Sequence, residues 1–246
     1  NYVVNPLGTE DFWTYAGNVH TANGNLMLSF SDVYVPGRGI PTTVTRTYNS
    51  CSSNSGIFGY GWNSELDVKI TVKNKGPIQY IDEDRTVHYF EQLSDGSYKS
   101  PPGLYLTLVK NADGTYTITE KNGLEYNFSS AGDLTSITDA QGNTLTYTYT
   151  SGKVTGITDP SGRNTTISYG TNNKVSQVID YASRKTTYEY SSAGDLIQVN
   201  QAVGTSDATT TYFKYDSVHN LIEATDPRGN KTYYYYTESP DVDNFT

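Results

Sequence analysis

At 246 residues, with 26 acidic against 17 basic side chains, the chain carries a formal charge of −9. It therefore lacks the basic field that a nucleic-acid backbone or an anionic membrane surface would attract. Its 23 tyrosines and 22 glycines argue against disorder, its one cysteine excludes an internal disulfide framework, and no apolar run approaches the roughly 20 residues of a spanning helix.

Turn signals begin early. Asn23-Gly24-Asn25 separates Val19-His20-Thr21 from Leu26-Met27-Leu28-Ser29-Phe30, which predicts a hairpin. Pro36-Gly37-Arg38-Gly39-Ile40-Pro41 predicts a tight loop in which Gly37 and Gly39 permit the backbone path. The β-branched alternation from Thr42 to Tyr48 follows as a strand. A stretch rich in Asn, Ser and Gly then leads through Gly59-Tyr60-Gly61-Trp62 to a strand predicted from Glu65 to Val72. Residues 76–128 alternate short strands with Asp-Gly and Asn-Gly turns, and hardly any segment has a helical period.

From residue 128 the sequence repeats. The anchors Phe128, Tyr149, Tyr169, Tyr190, Tyr215 and Tyr236 are separated by 21, 20, 21, 25 and 21 residues. A second aromatic stands two places earlier at Tyr126, Tyr147, Tyr188, Phe213 and Tyr234, with Ile167 as the exception. Side chains two apart share a strand face, so each Tyr-x-Tyr pair points one way and its flanking threonines the other. The turns opening with Asp139, Asp159, Asp180 and Asp226 recur between the strands, and each carboxylate is expected to cap its own turn. A single hairpin of this size is marginal, whereas stacked hairpins bury a continuous aromatic stripe. The extra residues near Gly204-Thr205-Ser206-Asp207 read as a longer surface loop. The expected class is all-β: a sheet of tandem hairpins, open and curved or spiralling. Residues 1–75 read as a capping β-region, 76–128 as transitional hairpins and 129–246 as repeats of about 21 residues.

Tyr215-Asp216-Ser217-Val218-His219-Asn220-Leu221, its variant Tyr190-Ser191-Ser192-Ala193-Gly194-Asp195-Leu196 and the turn Asp226-Pro227-Arg228-Gly229-Asn230 resemble the tyrosine-aspartate (YD) repeats of Rhs, wall-associated and teneurin-like proteins. Thr21-Ala22-Asn23-Gly24-Asn25, the loop at 36–41, Thr45-Arg46-Thr47-Tyr48-Asn49-Ser50 and Gly59-Tyr60-Gly61-Trp62 resemble the domain that precedes the repeats in bacterial members. The resemblance implies a fragment of a β-shell, secreted or on a bacterial cell surface. Its implied partners are the rest of that shell, a C-terminal toxin cargo, and cell-wall or host glycans. With Asn1 rather than methionine first, the chain is expected to be a segment of a longer protein.

The residues show no recognisable active site. His20, His88 and His219 lack ligand spacing, Cys51 lacks a base, and no Asp-x-Asp-x-Asp-Gly calcium loop occurs, so no cofactor or metal is expected. The leading expectation is a non-enzymatic scaffold. The alternative is a carbohydrate-binding or adhesive module, with Trp13, Tyr15, Tyr60, Trp62, Tyr233 and Tyr235 as candidate sugar platforms. A glycan-acting enzyme would need two carboxylates at catalytic separation, and the sequence singles out no such pair.

Overall fold

The computed structural model describes residues 15–16, 18–20, 24–73 and 76–236. Its main feature is a 13-stranded antiparallel sheet running from Leu106–Lys110 to Lys231–Tyr233, in which every strand pairs with its sequence neighbours. The order does not close on itself, so the sheet is an open strip. Its strands alternate as their composition demands. In Thr144–Thr150, Leu145 and Tyr147 are buried while Thr146, Thr148 and Thr150 are exposed. The outward face is held by side-chain hydrogen bonds across strands: Thr117 Oγ1 donates to Asn127 Oδ1 at 2.9 Å, and Asn127 Nδ2 to Ser136 Oγ at 3.2 Å.

The hairpin loops share one geometry. In the turns opening with Asp139, Asp159, Asp180 and Asp226, the first N–H donates to the fifth carbonyl and the fourth N–H donates to the first carbonyl. The fourth position has positive φ, supplied by Gly142, Gly162, Ser183 and Gly229. This is a type I turn closed by a left-handed residue. The aspartate Oδ1 accepts from the third and fifth backbone N–H groups, for example from Gln141 and Asn143 at 2.9 Å each. Pairing also slips once per repeat, immediately before Phe128, Tyr149, Tyr169, Tyr190 and Tyr215. Such a bulge bends a strand and increases its twist, so a periodic bulge gives a curved strip.

A second layer covers the apolar face of this strip. It consists of a three-stranded sheet (Met27–Val35, Thr42–Asn49, Trp62–Ser64) and a four-stranded one (Lys69–Thr71, Ile78–Ile81, Val87–Gln92, Tyr98–Lys99). Val44, Tyr48, Phe58 and Trp62 from this layer share one core with Ile157, Val178, Tyr188 and Phe213 of the repeats. The strand predicted from Glu65 to Val72 is broken by a 3₁₀ turn at Glu65–Asp67. The Leu66 N–H donates to Ser64 Oγ, so a local side-chain bond diverts the backbone from the ladder. Among the described residues no helix is long and apolar enough to cross a membrane.

The layers touch most closely at glycines. A Cβ on Gly132 (φ +98°) would lie 2.1 Å from the Ile70 carbonyl oxygen, and one on Gly39 (φ +73°) 2.3 Å from Asp139 Oδ2. Gly142 has a similar φ of +80° with open space around it. Gly132→Ala is therefore expected to cost about 2–4 kcal/mol, against about 1 kcal/mol for Gly142→Ala, in urea unfolding followed by tryptophan fluorescence. Equal costs would show that the layers do not meet at Gly132.

Candidate functional site

The seam between the layers holds the chain's most unusual chemistry. Strand Met27–Val35 bulges between Ser31 and Val33, which leaves Asp32 as the extra, unpaired residue and turns its carboxylate inward. Arg46 meets it with two bonds: Nε donates to Asp32 Oδ2, and Nη2 to Oδ1 at 2.9 Å. Both side chains are almost fully buried. Tyr188, from the repeat sheet, donates its hydroxyl to Asp32 Oδ2 at 2.9 Å. The guanidinium carbon lies 4.6 Å from the Trp62 ring centroid, 5.4 Å from Phe30 and 5.8 Å from both Tyr188 and Phe213. Arg46 Nη1 has no hydrogen-bond partner and sits within this aromatic enclosure. Burial works against the Arg46 charge, but Asp32 outweighs it and the pKa stays above the ordinary value. The arrangement is a lock between layers, with both charged side chains sealed from solvent.

The repeat tyrosines serve the seam in two ways. Tyr149, Tyr169, Tyr190 and Tyr236 each donate a hydroxyl to the carbonyl 15 residues earlier, on Leu134, Val154, Val175 and Leu221, at 2.8–3.0 Å. Tyr215 instead accepts from Trp62 Nε1 at 2.8 Å, which ties the strip to the covering layer. Burial raises the pKa of all five, so their hydroxyls remain neutral. Phe128, Tyr147 and Tyr188 are buried, and Tyr234 is half-buried.

Loop edges complete the docking. Arg163 bonds Asp159 through Nε at 2.6 Å and the Pro36 carbonyl through Nη2 at 2.6 Å. Arg184 bonds Asp180 in the same way and reaches the Tyr34 carbonyl. On the opposite edge the Val175 N–H donates to the Ile57 carbonyl at 2.9 Å, and the Tyr48 hydroxyl accepts from the Leu221 N–H at 2.9 Å. The Asp139, Asp159 and Asp180 turns thus face the loop carrying Gly37 and Gly39, and the Asp226 carboxylate bonds only within its own turn.

The candidate sugar platforms separate sharply. Trp62 is fully buried beneath Arg46, so its ring cannot meet a sugar; that expectation is corrected. One face of Tyr60 is taken by His219, stacked at 3.7 Å and 14°. Tyr233 and Tyr235 are exposed, at 53% and 89%. Tyr15 lies in the short strand Tyr15–Ala16, while its side chain and Trp13 lie outside the described residues.

The buried carboxyls of Glu65 and Asp67 had no signal in the sequence, whereas Asp82 stands in the acidic run Asp82-Glu83-Asp84. Glu65 accepts the Thr45 N–H at 2.9 and 3.0 Å and the Ser64 hydroxyl at 3.0 Å, and burial pushes it up to about 7. Burial pushes Asp67 up to about 6 against the opposing charges of Arg85 and Lys69. Asp82 and His88 meet at 2.8 Å, and burial shifts both toward their neutral forms, with Asp84 and Glu83 adding to the shift on Asp82. His219 pairs with Asp195 at 2.7 Å, although 24 residues separate them. Among the described residues no group of three His, Cys, Asp or Glu side chains is placed to hold a metal ion.

Comparison with known proteins bears on both layers. Residues 16–90 match the family described as a domain of unknown function (DUF6531), and residues 128–163 match the RHS Repeat family. The chain is 35% identical over 147 residues to the tRNA nuclease WapA of Bacillus subtilis (strain 168), and 34% identical over 147 residues to the tRNA3(Ser)-specific nuclease WapA of Bacillus spizizenii. Each match covers 58% of this chain and 6% of the relative, so the chain spans a small part of those proteins. Among solved structures, the TcdB2-TccC3-Cdc42 crystal structure matches 82% of this chain and 12% of that one, at 12% identity and a TM-score of 0.35. The Photorhabdus luminescens Tc holotoxin pore matches with the same coverage and identity at 0.36.

Two predictions follow from the seam. Arg46→Met strands the Asp32 charge and should cost about 3–5 kcal/mol, while the double change Arg46→Met with Asp32→Leu should recover most of the loss. A double variant no better than the single would show that the pair is not coupled. In the pH dependence, a raised acid pKa means that the folded chain holds a proton the unfolded chain has released. Stability should therefore fall as pH rises between the ordinary 4.5 of Glu65 and its folded value of about 7, by on the order of 2–3 kcal/mol. Asp67 acts in the same direction between 3.8 and about 6. The turn carboxylates Asp139 and Asp226 are shifted downward, and the stability they add is lost as pH falls through that lower range. Thermal midpoints should peak near pH 4, and Glu65→Gln should remove about half of the decline that Glu65 and Asp67 cause toward pH 8; a flat wild-type profile would contradict this.

Proposed function

This chain is a member of the Rhs/YD-repeat family, and we propose that it is a non-enzymatic scaffold: the covering layer and first repeats of a larger, extracellular bacterial shell. The observation that carries this reading is the locality of the building rule. Tyr236 closes on the Leu221 carbonyl by the same 15-residue step that joins Tyr149 to Leu134. Each added hairpin needs only the hairpin before it, so the strip extends without rearranging what is already built. The covering layer, by contrast, grips the repeats from Gly132 to Leu221 through specific bonds. It lies over the first repeats, while the periodic bulges curve the strip.

In this reading the partners are further repeats of the same protein and, in the longer chain, a C-terminal toxin cargo. The nuclease activity named for the Bacillus relatives belongs to those proteins, of which this chain covers 6%. The adhesive alternative draws on Tyr233 and Tyr235, whose exposed rings stand on the strip's last described strands and edge.

Extension of the chain tests the proposal. Two appended hairpins carrying the Tyr-x-Tyr and Asp-turn pattern should raise unfolding free energy by about 1–2 kcal/mol each and slow amide exchange in Lys231–Tyr233. If the added hairpins leave that strand unprotected, the scaffold reading fails. Glycan binding lost in Tyr235→Ala would favour the adhesive reading instead.

A further inference from the structure

At one end of the seam the layers part around an open cleft of about 320 Å³. Its walls come from the loop Asn54 to Ile57, the 3₁₀ turn, the hairpin tip at Arg85 and the repeat turn Asn172 to Lys174. Lys69, Arg85 and Lys174 line it together with a single acid, Asp67. In a chain of formal charge −9 this is a local positive excess. Lys174 Nζ donates to Ser55 Oγ at 2.8 Å. Lys69 and Arg85 form no ion pair or side-chain hydrogen bond with any described residue.

Asp67 is the second, independent observation. Its Oδ2 is buried and has no hydrogen-bond partner among the described residues. Gly56 stands beside that oxygen, and a Cβ there would lie 3.5 Å from Oδ2. Glycine is required there because the same Cβ would lie 2.6 Å from the Trp62 carbonyl oxygen. Arg85 (φ 73°) and Asn173 (φ 64°) hold left-handed backbone at the rim, where glycine would be free of strain. A buried acceptor without a donor, next to three cations that one carboxylate cannot balance, calls for a ligand that carries both a hydroxyl and a negative charge. A neutral sugar would leave the positive excess uncompensated, and a simple anion would leave Oδ2 without a donor.

We propose that this cleft binds an acidic saccharide, a sugar ring bearing a carboxylate or phosphate, with Lys69, Arg85 and Lys174 taking the anion and Asp67 Oδ2 accepting a ring hydroxyl. The site is distinct from the exposed tyrosines and does not depend on the scaffold reading.

Calorimetric titration of the whole chain with oligogalacturonate, glucose 6-phosphate, maltotetraose and inorganic phosphate tests it. At least one acidic sugar should bind saturably and about tenfold or more tighter than maltotetraose and inorganic phosphate. Which of the two binds identifies the carboxylate or the phosphate form. The double variant Lys69→Gln with Arg85→Gln, with its thermal midpoint checked against wild type, should weaken that binding about tenfold or more. Asp67→Asn should erase the preference for sugar over inorganic phosphate. Amide chemical-shift changes at Asn54 and Asn173 on titration place the ligand in the cleft even if Asp67→Asn fails to fold. No saturable binding, equal affinity for inorganic phosphate, or affinity untouched by the double variant overturns the proposal and leaves the scaffold reading standing.

Discussion

A single strip of β-hairpins has one apolar face and nothing of its own to set against it. The repeats present that face through paired positions such as Tyr147 and Tyr149, with Ile167 or Phe213 in the first place in two of them, and through a Leu or Val partner. Burial of such a stripe, at roughly 25 cal/mol for each Å² withdrawn from water, is the main force available to an antiparallel sheet of this kind. The covering layer supplies the other side. Phe30, Phe58 and Trp62 insert among Tyr188 and Phe213, with ring centroids 5.0–5.5 Å apart for Phe30–Phe213, Phe58–Tyr188 and Trp62–Phe213. The rest of the architecture depends on this pairing.

Apolar contact alone does not specify where one layer sits on the other. The buried Asp32–Arg46–Tyr188 group does. It joins a bulged residue, a strand residue 14 positions later and a tyrosine 156 positions from Asp32. Displacing the layers by one strand would leave two buried charges without the Tyr188 hydroxyl, a cost far above that of shifting a leucine. Arg163, Arg184 and Trp62 add directional bonds along the same seam. The polar contacts therefore set register, and the aromatics supply the larger share of the burial.

The acidic composition acquires a meaning that net charge does not convey. The turn aspartates are satisfied within their own turns, and the bonds they accept hold Asp139, Asp159 and Asp226 below the usual carboxylate range. Glu65, Asp67 and Asp82 lie in the covering layer, near its contact with the strip, where burial pushes them toward neutrality. The first group gives the strip its punctuation, and the second makes the seam sensitive to pH. The cleft at Asp67 is where this buried acidity meets an excess of basic groups.

The repeat, the all-β class, the Asp-led turns and the facing of the Tyr-x-Tyr pairs were legible in the sequence because all of them are local. A strand's period is two residues, and a three-residue turn closes within five. The Glu65–Asp67 turn was not legible, because one serine hydroxyl decided it within a stretch that otherwise reads as strand. Trp62 read as a platform because tryptophan beside glycines looks the same in sequence whether it faces water or an arginine. Likewise Arg46 gave no sign of its partner, since neither the bulge at Asp32 nor the distant Tyr188 leaves a spacing to count. Sequence alone thus determined the repeating unit and the face it must bury, since these depend on neighbours along the chain. Only the tertiary structure decided what covers that face, which charges are sealed beneath the cover and where a cleft remains, because those depend on residues up to about 170 positions apart meeting in space.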